Sequence, residues 1–85
     1  MELIVLTEVD NERNPVIDSL GVLHQDYYDT IGDAIYYLSR RVRDNSEITI
    51  KKYSDSFSTI TVVSSDGETT QYEMAKRQTL SHNKD

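Results

Sequence analysis

The chain has 85 residues, no cysteine, no tryptophan and a formal net charge of −6. This length fits one small domain with a thin core, and the lack of cysteine excludes both disulfide bonds and thiolate metal sites. The first residues contain neither a basic segment nor the roughly 18 apolar residues that a membrane span requires. We therefore expect neither a signal peptide nor a membrane anchor, and we predict a cytoplasmic protein.

The acidic charge is concentrated in the first half of the chain. Residues 1–39 contain eight acidic residues and one basic residue, whereas residues 40–85 contain seven acidic and eight basic residues. Uneven charge bears on partners and solubility and does not determine the fold. Two interpretations stay open at this point: the acidic half only keeps the protein in solution, or it forms a functional surface.

The first predicted element is a strand over residues 2–9. Its apolar residues alternate between two faces, with Leu3, Val5 and Val9 on one and Ile4 and Leu6 on the other. Apolar residues on both faces indicate an interior strand. The following segment, 16–27, has no single interpretation. Pro15 and Gly21 allow a short helical turn, and the same residues allow a hairpin or an irregular edge.

The stretch from Asp26 to Asp44 predicts the main helix. Asp29 or Thr30 can cap it, and Asp33 completes a weak capping box with Thr30. The apolar residues that recur at helical spacing are Ile31, Ala34, Ile35, Leu38 and Val42. Arginines 40, 41 and 43 follow in the last turns, where cations complement the negative end of the helix dipole.

Three further strands are predicted from period-two alternation, at residues 47–54, 58–64 and 69–77. The turn between the last two decides their register. A three-residue loop, Ser65 to Gly67, pairs Val62 with Thr70, whereas a two-residue loop would mix the two faces of the sheet. We predict the three-residue loop, which also sets Ile60 opposite Tyr72.

These elements predict a two-layer α+β domain over residues 1–78, with the order β-α-β-β-β and a flexible tail at 79–85. One main helix packs on a mostly antiparallel sheet of about four strands. The covered sheet face is expected to hold Ile48, Ile50, Ile60, Val62, Tyr72 and Met74. The opposite face, left to solvent or to a partner, is expected to hold Thr49, Lys51, Tyr53, Thr59, Thr61, Gln71 and Glu73.

The sequence predicts no catalytic, cofactor or metal site. His24 has no nucleophile elbow near it, and His82 falls in the predicted tail. The stretch around Asp10 and Glu12 lacks the central glycine of a calcium loop, and the three glycines are too far apart to form a phosphate-binding loop. We accordingly predict a protein that is not an enzyme.

Nucleic-acid binding has a partial basis in the second half of the chain. The residues that would carry it are Arg40, Arg41, Arg43, Lys51, Lys52 and Tyr53, the last as a stacking platform. Nucleic-acid-binding domains are normally basic, and this chain is acidic. Direct binding is therefore the weaker alternative.

The leading prediction is protein recognition. On the helix, Tyr36 lies away from the apolar stripe, while Tyr28 and Tyr37 are expected to contribute to the core. In size and charge the chain resembles small inhibitors encoded by phages and mobile elements, including anti-restriction and anti-CRISPR proteins. That resemblance implies a module that engages a basic, nucleic-acid-binding surface of another protein. The residues predicted to make the contact are Glu8, Asp10, Glu12, Asp26, Asp29, Asp33 and Tyr36. A homo-oligomeric accessory domain that pairs through its sheet is the alternative.

Overall fold

The computed structural model describes residues 2–42 and 45–78 and shows one helix packed on an antiparallel sheet of five strands. The strands are β1 (Glu2–Val9), β2 (Gln25–Tyr28), β3 (Glu47–Ser54), β4 (Phe57–Val63) and β5 (Thr69–Gln78), and the helix α1 is Ile31–Arg41. Their order across the sheet is β2-β1-β5-β4-β3. The predicted tail, 79–85, and the predicted helix-end residues 43 and 44 lie outside the described residues.

The sheet contains one strand more than predicted, and the element order is β-β-α-β-β-β. The additional strand is β2, which pairs with β1 so that Tyr28 lies opposite Ile4 and Gln25 lies opposite Thr7. Strand β1 therefore lies between β2 and β5, which confirms its prediction as an interior strand. Segment 16–27, which has no single interpretation from the sequence, ends in this strand.

The helix begins as the sequence predicts. The Oγ1 atom of Thr30 accepts a hydrogen bond from the Asp33 amide at 3.0 Å, so Thr30 is the cap. Two helical side chains, Ala34 and Leu38, are buried in a core that also contains Ile4, Leu6, Ile60, Val62 and Met74. Since only two residues separate β2 from the helix, α1 lies over β1 and β2.

The prediction that the helix covers both Ile48 and Ile50 of β3 is wrong for Ile50, which is 43 % exposed. Ile48 is partly buried and packs against the core, as predicted. The helix sits over the β1 and β2 side of the sheet, while β3 is the strand at the opposite edge. Ile31, at the start of the apolar stripe, is also more exposed than predicted.

The turn between β4 and β5 confirms the predicted register. Val62 lies opposite Thr70 and Ile60 opposite Tyr72. The Ser64 amide donates to the Glu68 carbonyl at 2.9 Å, which closes a three-residue loop. Gly67 in that loop has a φ of +91°, a conformation that favours glycine.

The sheet face opposite the helix is less open than predicted. Thr59, which the sequence places on the face left to solvent or to a partner, is buried within the chain itself. The segment after β1 folds back over this face, where the Arg13 guanidinium lies 3.4 Å from the Glu73 carboxylate. The Gln71 amide group also donates to the Asn11 side chain at 3.4 Å. These contacts narrow the surface left for a partner to the β3 side of the face.

Candidate protein-binding site

The predicted acidic residues do not form one array. Asp29 and Asp33 lie at the start of the helix, next to Tyr28, which pairs with Ile4. Glu8, Asp10 and Glu12 lie at the other end of β1 and in the turn that follows. At about 3.4 Å per residue, the four residues from Ile4 to Glu8 separate the two groups by roughly 14 Å. Asp26 lies between them, opposite Leu6.

Three of the predicted contact carboxylates have partners within the chain. The Arg41 guanidinium donates to Asp26 at 2.7 Å, and the hydrogen bond raises the pKa of Arg41 while partial desolvation opposes the shift. His24 Nδ1 lies 3.0 Å from the Glu8 carboxylate. Asp10 accepts hydrogen bonds from two backbone amides of its own turn. These carboxylates are therefore less available to an outside cation than the sequence suggests.

The remaining predicted acids are exposed and have no ion-pair partner among the described residues: Glu12, Asp29 and Asp33. The predicted contact tyrosine, Tyr36, is 55 % exposed and accepts a hydrogen bond from Arg40 at 3.2 Å. Tyr28 contacts the core as predicted. Tyr37 is 52 % exposed instead of buried, and its ring stacks on that of Tyr28 at a centroid distance of 5.4 Å.

The most exposed large apolar side chain in the described structure belongs to a feature that the sequence left unresolved. Residues 17–23 form a short hairpin in which Ile17 bridges to Leu23. At its tip Leu20 is 86 % exposed. Ile17, Val22 and Leu23 are exposed as well. Four aliphatic side chains in one seven-residue hairpin leave water-exposed apolar surface that folding does not explain.

Asp18 holds this hairpin in shape. Its Oδ1 atom accepts hydrogen bonds from the amides of Leu20 at 2.9 Å and Val22 at 3.0 Å. The backbone adds bonds from the Gly21 amide to the Asp18 carbonyl and from the Asp18 amide to the Val22 carbonyl. The two amide hydrogen bonds to the carboxylate lower the pKa of Asp18. The exposed Leu20 is thus presented by an ordered turn.

The hairpin has a polar base. His24 follows it directly, and its Nε2 atom lies 3.9 Å from the Asp18 carboxylate. The same ring contacts Glu8 through Nδ1. Ile17 and Leu23, which lie opposite each other, form an apolar pair on the other side. The hairpin therefore combines an apolar tip and side with a base of one histidine between two carboxylates.

One sequence signal for this hairpin was present. Aspartate at the first position and glycine at the fourth, as in Asp18 to Gly21, are typical of a tight turn. Gly21 has a φ of +81°, which this position requires. Hydrophobicity, by contrast, does not show that the flanking apolar residues face water.

The predicted basic residues lie on two sides of the sheet. Arg41 contacts Asp26 in the helix layer, and Lys51 lies 5.2 Å from the ring centre of Tyr53 next to the cleft lined by Arg13 and Glu73. Lys52 pairs with Asp55 at 3.2 Å. Residue 43 lies outside the described residues. The described members of this set form no single basic surface.

The clefts of the described structure are small. One, lined by Arg41, Ser46, Glu68 and Tyr72 among others, has a volume of about 160 Å³. Another, between Arg13 and Phe57 on the open face, has about 180 Å³. Pockets for small-molecule substrates typically have volumes of about 300–1,000 Å³. Across residues 2–42 and 45–78, no three His, Asp or Glu side chains are arranged to hold a metal ion.

Comparison with known proteins identifies no relative of this chain. Neither a protein-family model, nor a curated protein, nor a solved structure shows significant similarity to the chain. In the part of the chain that the structure describes, no helix has the length and apolar character needed to cross a bilayer. The case for a function therefore depends on the geometry of the chain itself.

Proposed function

We propose that this chain is a non-enzymatic protein-binding module whose hairpin, residues 17–23, inserts Leu20 into an apolar pocket of another protein. The observation that carries the proposal is the 86 % exposure of Leu20 at the tip of an ordered turn. Large aliphatic side chains at the centre of an interface contribute most when they fill a pocket and lose their contact with water.

The order of the hairpin supports this role. Binding costs free energy when a loop or side chain must be fixed in place, and a preformed turn has already lost that freedom. Asp18 fixes the backbone on both sides of Leu20 through two hydrogen bonds. A hairpin with no binding role would gain nothing from holding an aliphatic side chain in water.

The charge around the hairpin indicates what kind of partner fits. Residues 10–23 contain three acidic residues and one basic residue, Arg13. Arg13 is already paired with Glu73, so Asp10, Glu12 and Asp18 leave this end of the molecule acidic. A partner whose pocket is rimmed by lysine or arginine would be attracted over a distance and associate faster at low salt.

A basic rim is a property of nucleic-acid-binding proteins. We extend the proposal to an inhibitor that covers such a surface in the cytoplasm, in the manner of the phage-encoded proteins that the chain resembles in size and charge. In this arrangement the hairpin provides the apolar contact, and the acids at the end of β1 provide the charge. The acids at the helix start, with Tyr36, form a second candidate contact, roughly 14 Å away along β1.

The experiment compares Leu20→Ser with Tyr36→Ser. Each variant, and the unaltered chain, is immobilised and exposed to nuclease-treated extract of the native host, and proteins held by the unaltered chain are purified. Dissociation constants are then measured for each purified partner at low and high salt. We expect Leu20→Ser to weaken binding by at least tenfold, because the loss of a fully buried leucine contact is worth about 1.5–3 kcal/mol.

Three results would contradict the proposal, the first two for the hairpin and the third for the basic rim of the partner. Equal affinity of Leu20→Ser and the unaltered chain would remove the hairpin from the interface. Binding lost in Tyr36→Ser alone would instead place the contact at the helix start. An affinity that does not weaken between low and high salt would contradict the basic rim.

A further inference from the structure

Strand β3 is an exposed edge of the sheet. Among the described strands its only neighbour is β4, and every residue from Glu47 to Ser54 except Ile48 is exposed. An edge of this length presents unpaired amide and carbonyl groups to any strand that matches it. The proposed hairpin contact does not use this part of the molecule.

The hydrogen bonds of the β4–β5 turn show which way the backbone groups of β4 point. The Ser64 amide donates to Glu68, so the backbone of Ser64 is directed to the β5 side. Directions alternate along a strand, and Thr61, three residues earlier, is therefore directed to β3. Thr61 lies opposite Thr49, so these two residues form a hydrogen-bonded pair between β4 and β3.

The same alternation identifies the free groups of β3. Since Thr49 is directed to β4, its neighbours Ile48 and Ile50 direct their amide and carbonyl groups outward, and so does Lys52. A register shift between Lys52 and Ser54 interrupts the strand beyond that point. The usable edge therefore ends at Lys52, because bulges commonly terminate pairing at sheet edges.

We propose that β3 pairs with the β3 strand of a second copy of this chain, antiparallel, about a two-fold axis at Thr49. In this register Ile48 forms a hydrogen-bonded pair with the partner's Ile50, and Ile50 with the partner's Ile48. Glu47 lies opposite the partner's Lys51, and Lys51 opposite the partner's Glu47. The two sheets join into one continuous sheet through identical contacts on each copy.

Charge and hydrophobicity select this register. Moving the axis to Ile50 would set Ile48 opposite the partner's Lys52 and leave Glu47 without an opposite charge. Moving it to Lys51 would bring that residue against the partner's Lys51, and like charges directly opposite are destabilising. With the axis at Thr49, the interface contains two opposite-charge pairs and two isoleucine pairs. The pairing between the two strands ends before the register shift.

The charge pairs allow a test of the register itself. Lys51→Glu places two like-charged pairs across the interface, and so does Glu47→Lys. The double variant Glu47→Lys/Lys51→Glu restores opposite charges only if residue 47 faces residue 51 of the other copy. Lys52→Glu is the matched control, because it changes the net charge equally but lies on the other face of the sheet and opposite the partner's Ser46.

Monomer–dimer equilibria are measured by sedimentation over a range of protein concentrations, with circular dichroism to show that each variant is folded. We expect the unaltered chain to dimerise, each single charge reversal to raise the dimer dissociation constant about tenfold or more, and the double variant to recover most of that loss. Lys52→Glu should change it much less than Lys51→Glu.

The proposal is overturned if the unaltered chain stays monomeric at the highest concentration reached, or if the double variant is as weak as the single variants. A dimer weakened by Leu20→Ser but not by Lys51→Glu would also overturn it, by assigning self-association to the hairpin. Partner binding through the hairpin and dimerisation through β3 use different residues. Either proposal can therefore fail while the other stands.

Discussion

Arg41, the last residue of the helix, donates a 2.7 Å hydrogen bond to Asp26 on the edge strand β2. This contact joins the C-terminal end of the helix to the strand that precedes it. It also removes Asp26 from the set of carboxylates available to a partner. Both side chains remain about half exposed, which limits what the pair contributes to stability.

We predict that Arg41→Gln lowers the free energy of unfolding by less than about 1 kcal/mol, because exposed ion pairs are screened by water and salt. Urea denaturation at low and high salt measures the effect, and the difference between variant and unaltered protein should shrink at high salt. A loss of several kcal/mol, unchanged by salt, would show that Arg41 acts through packing.

Leu38 should be far more important to stability. It is 1 % exposed, at the centre of the core between helix and sheet. Leu38→Ala leaves a cavity and should cost about 2–5 kcal/mol. Because a domain of 85 residues has only about 4–13 kcal/mol in total, this variant should lose a large share of the free energy of unfolding.

Ile31→Ala is the matched control for Leu38→Ala, since it lies on the same helix but is 38 % exposed. We expect a cost below about 1 kcal/mol, measured by thermal and urea unfolding. Equal destabilisation by the two substitutions would contradict the difference in burial between Leu38 and Ile31.

The stability of the folded hairpin should depend on pH through Asp18. Its pKa is lowered by the hydrogen bonds from the Val22 and Leu20 amides, so the folded hairpin binds a proton at Asp18 less readily than the unfolded chain does. The stabilisation is therefore complete above the ordinary aspartate pKa and is lost as the pH falls through the lowered value. Amide chemical shifts of Leu20 and Val22, followed by NMR, should report this transition.

Asp18→Ala should disorder the hairpin at neutral pH, whereas Asp18→Asn should retain most of it, because the amide oxygen can still accept hydrogen bonds. Partner binding should follow the same order. Unchanged Leu20 and Val22 amide shifts in Asp18→Ala would show that the backbone alone holds the turn.

Much of the fold could be predicted from the sequence because its signals are local. Strand β1, the Thr30 cap and the loop at Gly67 each depend on residues close together in the chain, and each is confirmed. Strand β2 was missed because four residues, Gln25 to Tyr28, are too few to show an alternating pattern. Its existence depends on the free edge of β1, which is a tertiary property.

The missed strand also explains why the sequence predicted the wrong position for the helix. With β2 present, only Asp29 and Thr30 connect strand to helix, so α1 is held over the near edge of the sheet. Ile50 on the far edge is consequently left exposed. The candidate site was only partly predictable for a similar reason: composition identifies acidic residues, but the pairing of Glu8 with His24 and the exposure of Leu20 arise from the folded backbone.

The tyrosines should make the protein sensitive to alkaline pH. Burial raises the pKa of Tyr72, and burial together with the nearby Asp26 raises that of Tyr28. The folded state therefore holds these phenolic protons more tightly than the unfolded state does. Stability is unaffected below the ordinary tyrosine pKa and falls as the pH rises through it, because only the unfolded chain then ionises freely.

Tyr72→Phe separates this effect from general alkaline unfolding. It keeps the ring in place and removes the ionisable group, so the free energy of unfolding should fall less steeply above pH ~10 than in the unaltered protein. Tyr36→Phe, which removes a phenolic hydroxyl from the exposed side of the helix, is the control for the loss of a hydroxyl group alone. Urea unfolding at several alkaline pH values measures both slopes, and identical slopes for Tyr72→Phe and the unaltered chain would show that Tyr72 is not the group responsible.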